Sequence, residues 1–250
     1  MGEISKIVSD LNLPKHILDK GEAAIKAVFG PSITEISETF ADNFRLRRFK
    51  NQVRILEKAQ KYLSETNIKP KEVKLKILAP LVQYCSLEED EKLQERWSKL
   101  VFNIVTIEGN TLLKQNCTEI LRKLSNEDAL LLDYLYDKFV LERSKRFMKS
   151  KEEKYSSYRK IEDYPLSWFS FNIKDLAKKF STEKYEIEIQ ISNIIALGLV
   201  KWLPEIDYSI EMGCYYGDNK IGEDIAVYDD ETIILTNLGV EFVRMCKVDK

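Results

Sequence analysis

Over most of the first 150 positions, apolar residues recur three, four and seven apart, the spacing of helix faces buried on one side. Pro14 to Phe29 carries such a stripe (Ile17, Leu18, Ala24, Ile25, Val28), and Gly30-Pro31 stops it. Pro31 then suits the first turn of a second, long helix to about Ser64, with Phe40, Phe44, Phe49, Val53 and Leu56 among its apolar positions. A helix of that length packs along a bundle or a partner. Val73 to Tyr84 reads as a third helix kinked at Pro80. Ser86 with Glu89 predicts a capping box for a fourth, and Glu88 to Glu91 place carboxylates at its positive end. Leu93, Trp97, Leu100, Val101 and Ile104 continue it to Gly109, and Thr111 to Leu124 forms a fifth. Ser125 to Asp128 then launches a helix from Ala129 to about Met148.

The last 90 residues read differently. Ile173–Phe180 and Glu183–Leu197 predict two short helices, the second capped by Ser181-Thr182. Leu199–Leu203 and Thr232–Thr236 predict strands, with a polar excursion from Pro204 to Asp230 between them, and Leu238–Lys247 predicts a closing helix. That order is the order of a winged helix-turn-helix. The expected fold is therefore mainly α. An N-terminal helical domain spans 1–124, and a winged-helix-like α+β domain spans 125–250, with a basic arm at 142–160.

Composition then narrows the chemistry. A net charge of −2 excludes a uniformly basic nucleic-acid packager. The single histidine, His16, excludes two-histidine metal sites. Cys85, Cys117, Cys214 and Cys246 make no CxxC pair, and Cys85 and Cys246 sit among apolar helical residues as small core side chains. No GxxxxGK[ST] or GxGxxG loop is present to cradle phosphate. No catalytic residue, metal or cofactor is assigned, and the expectation is a non-enzymatic protein. No apolar run is long enough for a membrane span, and the polar residues 1–11 do not form a signal peptide, so a cytoplasmic protein is expected.

Two basic clusters are candidate anion or nucleic-acid sites. Arg45, Arg47, Arg48, Lys50 and Arg54 crowd the long helix beside Phe44 and Phe49. Lys145, Arg146, Lys149 and Lys151 lie in the 142–160 stretch, which has eight basic and three acidic residues. The winged-helix elements themselves carry the opposite sign. The would-be recognition helix has Glu183, Glu186 and Glu188 against Lys184, and the excursion to Glu231 has nine carboxylates against Lys220. Duplex binding needs cations on the element that enters the groove, so this module reads as one that binds protein or itself. The partner expected is another protein, host or phage, or a second copy, with nucleic acid confined to the basic clusters.

One resemblance rests on particular residues. K-N-x-x-x-I-L-E-K-A at Lys50–Ala59, K-L-K-I-L-A-P-L at Lys74–Leu81 and C-S-L-E-E-D-E-K-L-Q-E-R-W-S-K-L at Cys85–Leu100 resemble the abortive infection alpha family of bacterial proteins. The likeness is closest over residues 40–125, and the second half shares its outline through L-T-N-L-G at Leu235–Gly239. The resemblance implies a role in defence against bacteriophage and supplies no catalytic residues. A winged-helix transcription regulator, or a hydrolase or nuclease built on a carboxylate cluster, are the readings from other classes.

Overall fold

The computed structural model describes residues 46–152, 160–203, 205–211, 222–228 and 231–248, with helical positions at 23–24 and 27–28; for 46–47, 152, 205–211 and 222–228 the backbone alone is described. Helix α1 spans Leu46–Thr66, α2 Leu75–Cys85, α3 Glu91–Thr106, α4 Thr111–Lys123 and α5 Asn126–Glu152. Two short 3₁₀ turns (Ile161–Asp163, Leu166–Trp168) lead into strand β1, Ser170–Asn172. Then follow α6 (Ile173–Phe180), α7 (Lys184–Ala196), β2 (Val200–Trp202), β3 (Glu205–Glu211), β4 (Gly222–Tyr228), β5 (Thr232–Leu235) and α8 (Asn237–Met245). The chain is mainly helical with a small antiparallel sheet, as the hydrophobic pattern predicts. The expected first helix is helical where described, with Ala24 and Val28 buried. The first part of the expected long helix, 31–45, lies outside the described residues.

The chain divides into two compact units, one reaching Ala129 and including Glu241 onward, the other spanning Leu130–Val240. In the first, α1 packs along α3 and α2 against α4. Leu56, Leu78, Leu81, Trp97, Leu100 and Leu121 are fully buried. A polar seam crosses this core. Gln94 Nε2 donates to Asn51 Oδ1 (3.3 Å) and Glu88 O (2.9 Å), while Asn51 Nδ2 donates to Ser86 O (3.3 Å) and Gln52 Nε2 to Val82 O (3.1 Å). These bonds clamp the α2–α3 connection onto α1. Asn103 Nδ2 donates to the carbonyls of Met245 (2.9 Å) and Lys247 (2.7 Å), which fixes the C-terminal end of the chain.

The S-L-E-E-D string is structural, but not in the way its spacing predicts. Helix α3 starts at Glu91, so its N-cap is Asp90, whose Oδ1 accepts from Lys92 N (2.8 Å) and Leu93 N (3.0 Å). Ser86 instead finishes α2, its Oγ donating to Gln83 O (2.6 Å). Glu88 folds back onto the backbone N–H of Glu89 and Asp90 (both 3.0 Å), and Leu87 stays 47% exposed. A capping box does form two helices later, at the start of α5, where Ser125 N donates to Asp128 Oδ2 (3.1 Å) and Asp128 N to Ser125 Oγ (3.0 Å).

In the second unit β5 lies between β1 and β2, both antiparallel to it. Strand β1 was not expected, since three residues are too few to show alternation. The polar excursion contains a hairpin, β3 paired with β4. Helix α7 ends in a left-handed glycine, Gly198 (φ +75°), with Gly198 N donating to Ile195 O (2.8 Å) and Leu199 N to Ile194 O (3.0 Å). The element and sheet orders make the unit winged-helix-like. The 142–160 stretch is corrected: α5 runs on as helix through Glu152, because Lys, Arg, Glu and Met are all good helix formers, and only 153–159 lie outside the described residues.

Candidate interaction site

The face of α7 turned away from the unit's core is built by its periodicity. Ile187, Ile191 and Ile194 are buried, which leaves Tyr185, Ile189, Ser192 and Ala196 along one exposed stripe. Tyr185 is 71% exposed and Ile189 53%, flanked by exposed Glu183 and Glu186. The cation of this helix, Lys184, is spent within the fold: its Nζ binds the carboxylate of Glu231 and lies 3.3 Å from Glu188. The hydrogen bond from Lys184 holds the Glu231 carboxyl below the usual carboxylate range, and the same bond raises the ammonium of Lys184. Lys174 adds to the cluster at 3.8 Å from Glu231. The turn before α7 is closed by Ser181 in the left-handed region (φ 52°), while Thr182 Oγ1 donates to Glu186. Its N-cap position falls to Glu183, so the expected Ser181-Thr182 cap is replaced by this side-chain pair.

The sequence-predicted basic residues that the structure describes lie on α1 and on α5. Arg45 lies outside the described residues, and Arg47 is placed by its backbone in α1. Arg48 is half-buried, while Lys50 and Arg54 are exposed one helical turn apart. On α5, Lys145 donates to Glu142 Oε1 (2.9 Å), Lys151 lies 4.6 Å from the Phe147 ring centre, and Lys149 is exposed. Arg146 is the member with a built surrounding. Its guanidinium lies 5.8 Å from the ring centre of Trp168 and 5.2 Å from that of Phe169.

Arg146 borders a cleft of about 460 Å³ that no single stretch of sequence reveals. Tyr134, Lys138, Glu142 and Arg146 form one wall, four residues apart along α5, and β1 supplies Ser170, Phe171 and Asn172 to the other. Phe139 and Phe169, in edge contact at 5.2 Å, form its floor. Arg143, which sequence reading passed over, anchors the approach by stacking on Phe139 and donating to Tyr164 O (3.4 Å). The signal available in the sequence was the four-residue spacing along α5; its second wall comes from segments more than 20 positions away.

The sequence model of the abortive infection alpha family matches residues 44–246. The chain belongs to this family. The match extends through the second unit, well beyond the 40–125 stretch where the likeness is clearest by eye. No curated protein and no solved structure matches the chain. In this abortive infection alpha protein part of the family-like strings falls on core positions: Leu93, Gln94 and Trp97 are buried and Gly239 packs against backbone, while Leu87, Glu89 and Glu91 are exposed.

The described cysteines of the abortive infection alpha protein, Cys85, Cys117 and Cys246, are buried; Cys214 and His16 lie outside the described residues. Burial pushes the Cys85 thiol up to about 12 and raises Cys117 as well. Among the described residues no group of three or more His, Cys, Asp or Glu side chains is placed to hold a metal ion. Among them, too, no helix is long and apolar enough to cross a membrane. A folded-state thiol pKa above the unfolded value contributes stability below about pH 9 that is lost as pH rises toward 12. Thermal midpoints measured from pH 8 to 10.5 are expected to fall more steeply in the native protein than in Cys85→Ala. Equal slopes would show that Cys85 is not protected from ionisation.

Proposed function

We propose that this protein is a non-enzymatic antiviral protein of abortive infection, acting in the cytoplasm against bacteriophage by binding another protein on the exposed face of α7. Family membership supports the defence role. The observation that carries the binding mode is the state of Lys184, which is paired with Glu231 and Glu188 while Tyr185 and Ile189 stand in solvent between carboxylates. A groove-reading helix offers free cations to phosphate; this helix offers an aromatic and an aliphatic side chain on an acidic ground, which suits an interface core with a charged rim. Buried thiols raised above the reactive range fit the same reading.

The test is a plaquing assay on cells carrying native or variant protein. Tyr185→Glu/Ile189→Glu is expected to lower protection by about tenfold or more, since truncating central interface anchors has effects of that size. Folding is checked by circular dichroism. Lys184→Gln, which breaks a surface pair worth little, is expected to keep protection. If Lys184→Gln abolished protection together with salt-sensitive duplex binding, the α7 face would be a nucleic-acid reader, as in a transcription regulator, and the proposal would fail.

A further inference from the structure

One end of the first unit carries a patch that the α7 reading does not use. Helices α1 and α3 run parallel: Gln94 bonds to Asn51 (3.3 Å), Lys58 Nζ lies 3.0 Å from Glu95, and the rings of Tyr62 and Phe102 meet edge-on. Their C-terminal ends therefore lie side by side, and Lys71 N, donating to Val105 O (2.7 Å), stitches the two exits together. The chain leaves α1 through residues 67–74 and α3 through 107–110, so α2 and α4 both start from this end. Arg122 lies 4.5 Å from the ring centre of Tyr84, which keeps α2 and α4 in register, so their first turns, with Leu75 and Leu112, lie level.

Both connections are pinned. Asn67 turns in the left-handed region (φ 54°), and Val73 is buried. Lys71 Nζ reaches across to Glu108 Oε2 (3.2 Å). Gly109 and Asn110 are also left-handed, Asn110 Oδ1 accepts from Leu113 N (3.3 Å), and the buried Lys114 donates to Ile107 O. This frame holds aliphatic side chains in water: Ile68, Leu75, Ile107 and Leu112 are 41% to 69% exposed. Single exposed aliphatics need no explanation, whereas four gathered on one end do. Lysines surround them. Lys69, Lys74 and Lys76 are exposed and make no ion pair among the described residues, while Lys71 meets Glu108. Glu72 is the other carboxylate of residues 67–76 and 107–112, so the patch keeps an excess of positive charge.

Composition selects the occupant. A protein interface is built around aromatic, Met and Arg side chains and is poor in lysine. Residues 67–76 and 107–112 hold four lysines and no aromatic, Met or Arg. A nucleic acid would use the lysines, leave the aliphatics in water and find no ring to stack on. A bilayer with anionic headgroups uses both: aliphatic side chains enter the boundary between headgroups and acyl chains, and lysines reach the phosphates on long stems. We infer that this end of the first unit docks on an anionic lipid surface, with Ile68, Leu75, Ile107 and Leu112 entering the interface and Lys69, Lys74 and Lys76 at the headgroups. The contact is peripheral and does not depend on α7; it stands if that face binds nothing.

Co-sedimentation of the full-length protein with sucrose-loaded vesicles tests this, using phosphatidylethanolamine and phosphatidylglycerol in equal parts against phosphatidylcholine alone. Binding to the anionic vesicles that falls with added salt is expected, with little binding to phosphatidylcholine. Lys69→Glu/Lys74→Glu is expected to weaken binding about tenfold or more, since each lysine near such a surface is worth about fivefold. Lys92→Glu/Lys123→Glu makes the same charge change at the opposite end of the unit, about 20 Å away and beyond a Debye length of about 10 Å, and is expected to bind within about twofold of native. Ile68→Asn/Leu112→Asn changes no charge and is expected to lose about tenfold or more. Circular dichroism checks that each variant is folded. No binding to the anionic vesicles, equal losses from the two lysine pairs, or native binding by Ile68→Asn/Leu112→Asn would each overturn the proposal. A dimer in solution that Ile68→Asn/Leu112→Asn dissolves, with no vesicle binding, would overturn it in favour of a second copy.

Discussion

Replacing Gly239 with alanine is expected to cost about 4 kcal/mol or more, the range reserved for backbone clashes and broken buried networks. In most helices the same change is favourable by up to about 1 kcal/mol, because alanine is the better helix former. Here the sign reverses for want of space, not for an unusual φ. A Cβ on Gly239 would lie 2.0 Å from the carbonyl oxygen of Leu199 and 2.9 Å from its carbon, both backbone atoms that cannot rotate away. Moving the start of α8 outward would also undo the joint built by Thr236. Its N donates to Leu199 O (3.0 Å), its Oγ1 donates to Gly198 O (2.6 Å), and it accepts the N–H of Gly239 (2.9 Å). At about 2–4 °C per kcal/mol for a chain of this size, the thermal midpoint is expected to drop by about 8 °C or more. The neighbouring exposed Asn237→Ala is the control and should shift it little. A Gly239→Ala protein as stable as native would show that α8 does not approach the Leu199 backbone this closely.

The second large effect is expected at Trp97, 1% exposed in the first unit. Trp97→Ala removes the largest fully buried side chain there and is expected to cost about 3–5 kcal/mol. Trp97→Phe is expected to cost much less, about 1–2 kcal/mol. The reason is that the indole Nε1–H is buried with no hydrogen-bond partner among the described residues, so phenylalanine gives up packing area but also removes a donor left unsatisfied there. Urea unfolding followed by far-ultraviolet circular dichroism distinguishes the two. If phenylalanine proved as costly as alanine, the indole N–H would have a partner that matters, and Trp97 would be more than a packing residue.

Both positions lie in strings that resemble the family, and both act through packing. That explains how much of the molecule is legible in the sequence. The helices of the first unit follow from apolar spacing, because each buries one face against its neighbours. The closing T-N-L-G reads as a cap, and the structure adds that its glycine is a contact point. The start of α3 was misplaced because Ser86 and Asp90 are both competent caps, and only the fold shows that Ser86 is occupied by Gln83. The basic stretch after Glu142 resembled an exposed arm because its charge hides a continuing helix, with Arg143 and Arg146 held by rings from residues 139, 168 and 169. The cleft was not legible at all. Its walls come from α5 and from a three-residue strand, and no local pattern joins them. The acidic face of α7 was legible in sign, whereas the capture of Lys184 by Glu231 needed the pairing of β1 with β5 to bring the two together.

The measurement closest to the central claim is site-specific photocrosslinking from α7 in living cells. A benzophenone side chain placed at Ile189 reports what touches the exposed stripe during phage infection, and one placed at exposed Lys178 on α6 serves as the control. The account predicts a crosslink to a discrete protein from position 189, absent from position 178 and lost when Tyr185→Glu is added. A crosslink from position 189 to nucleic acid, or none under conditions where the cells are protected, would contradict it.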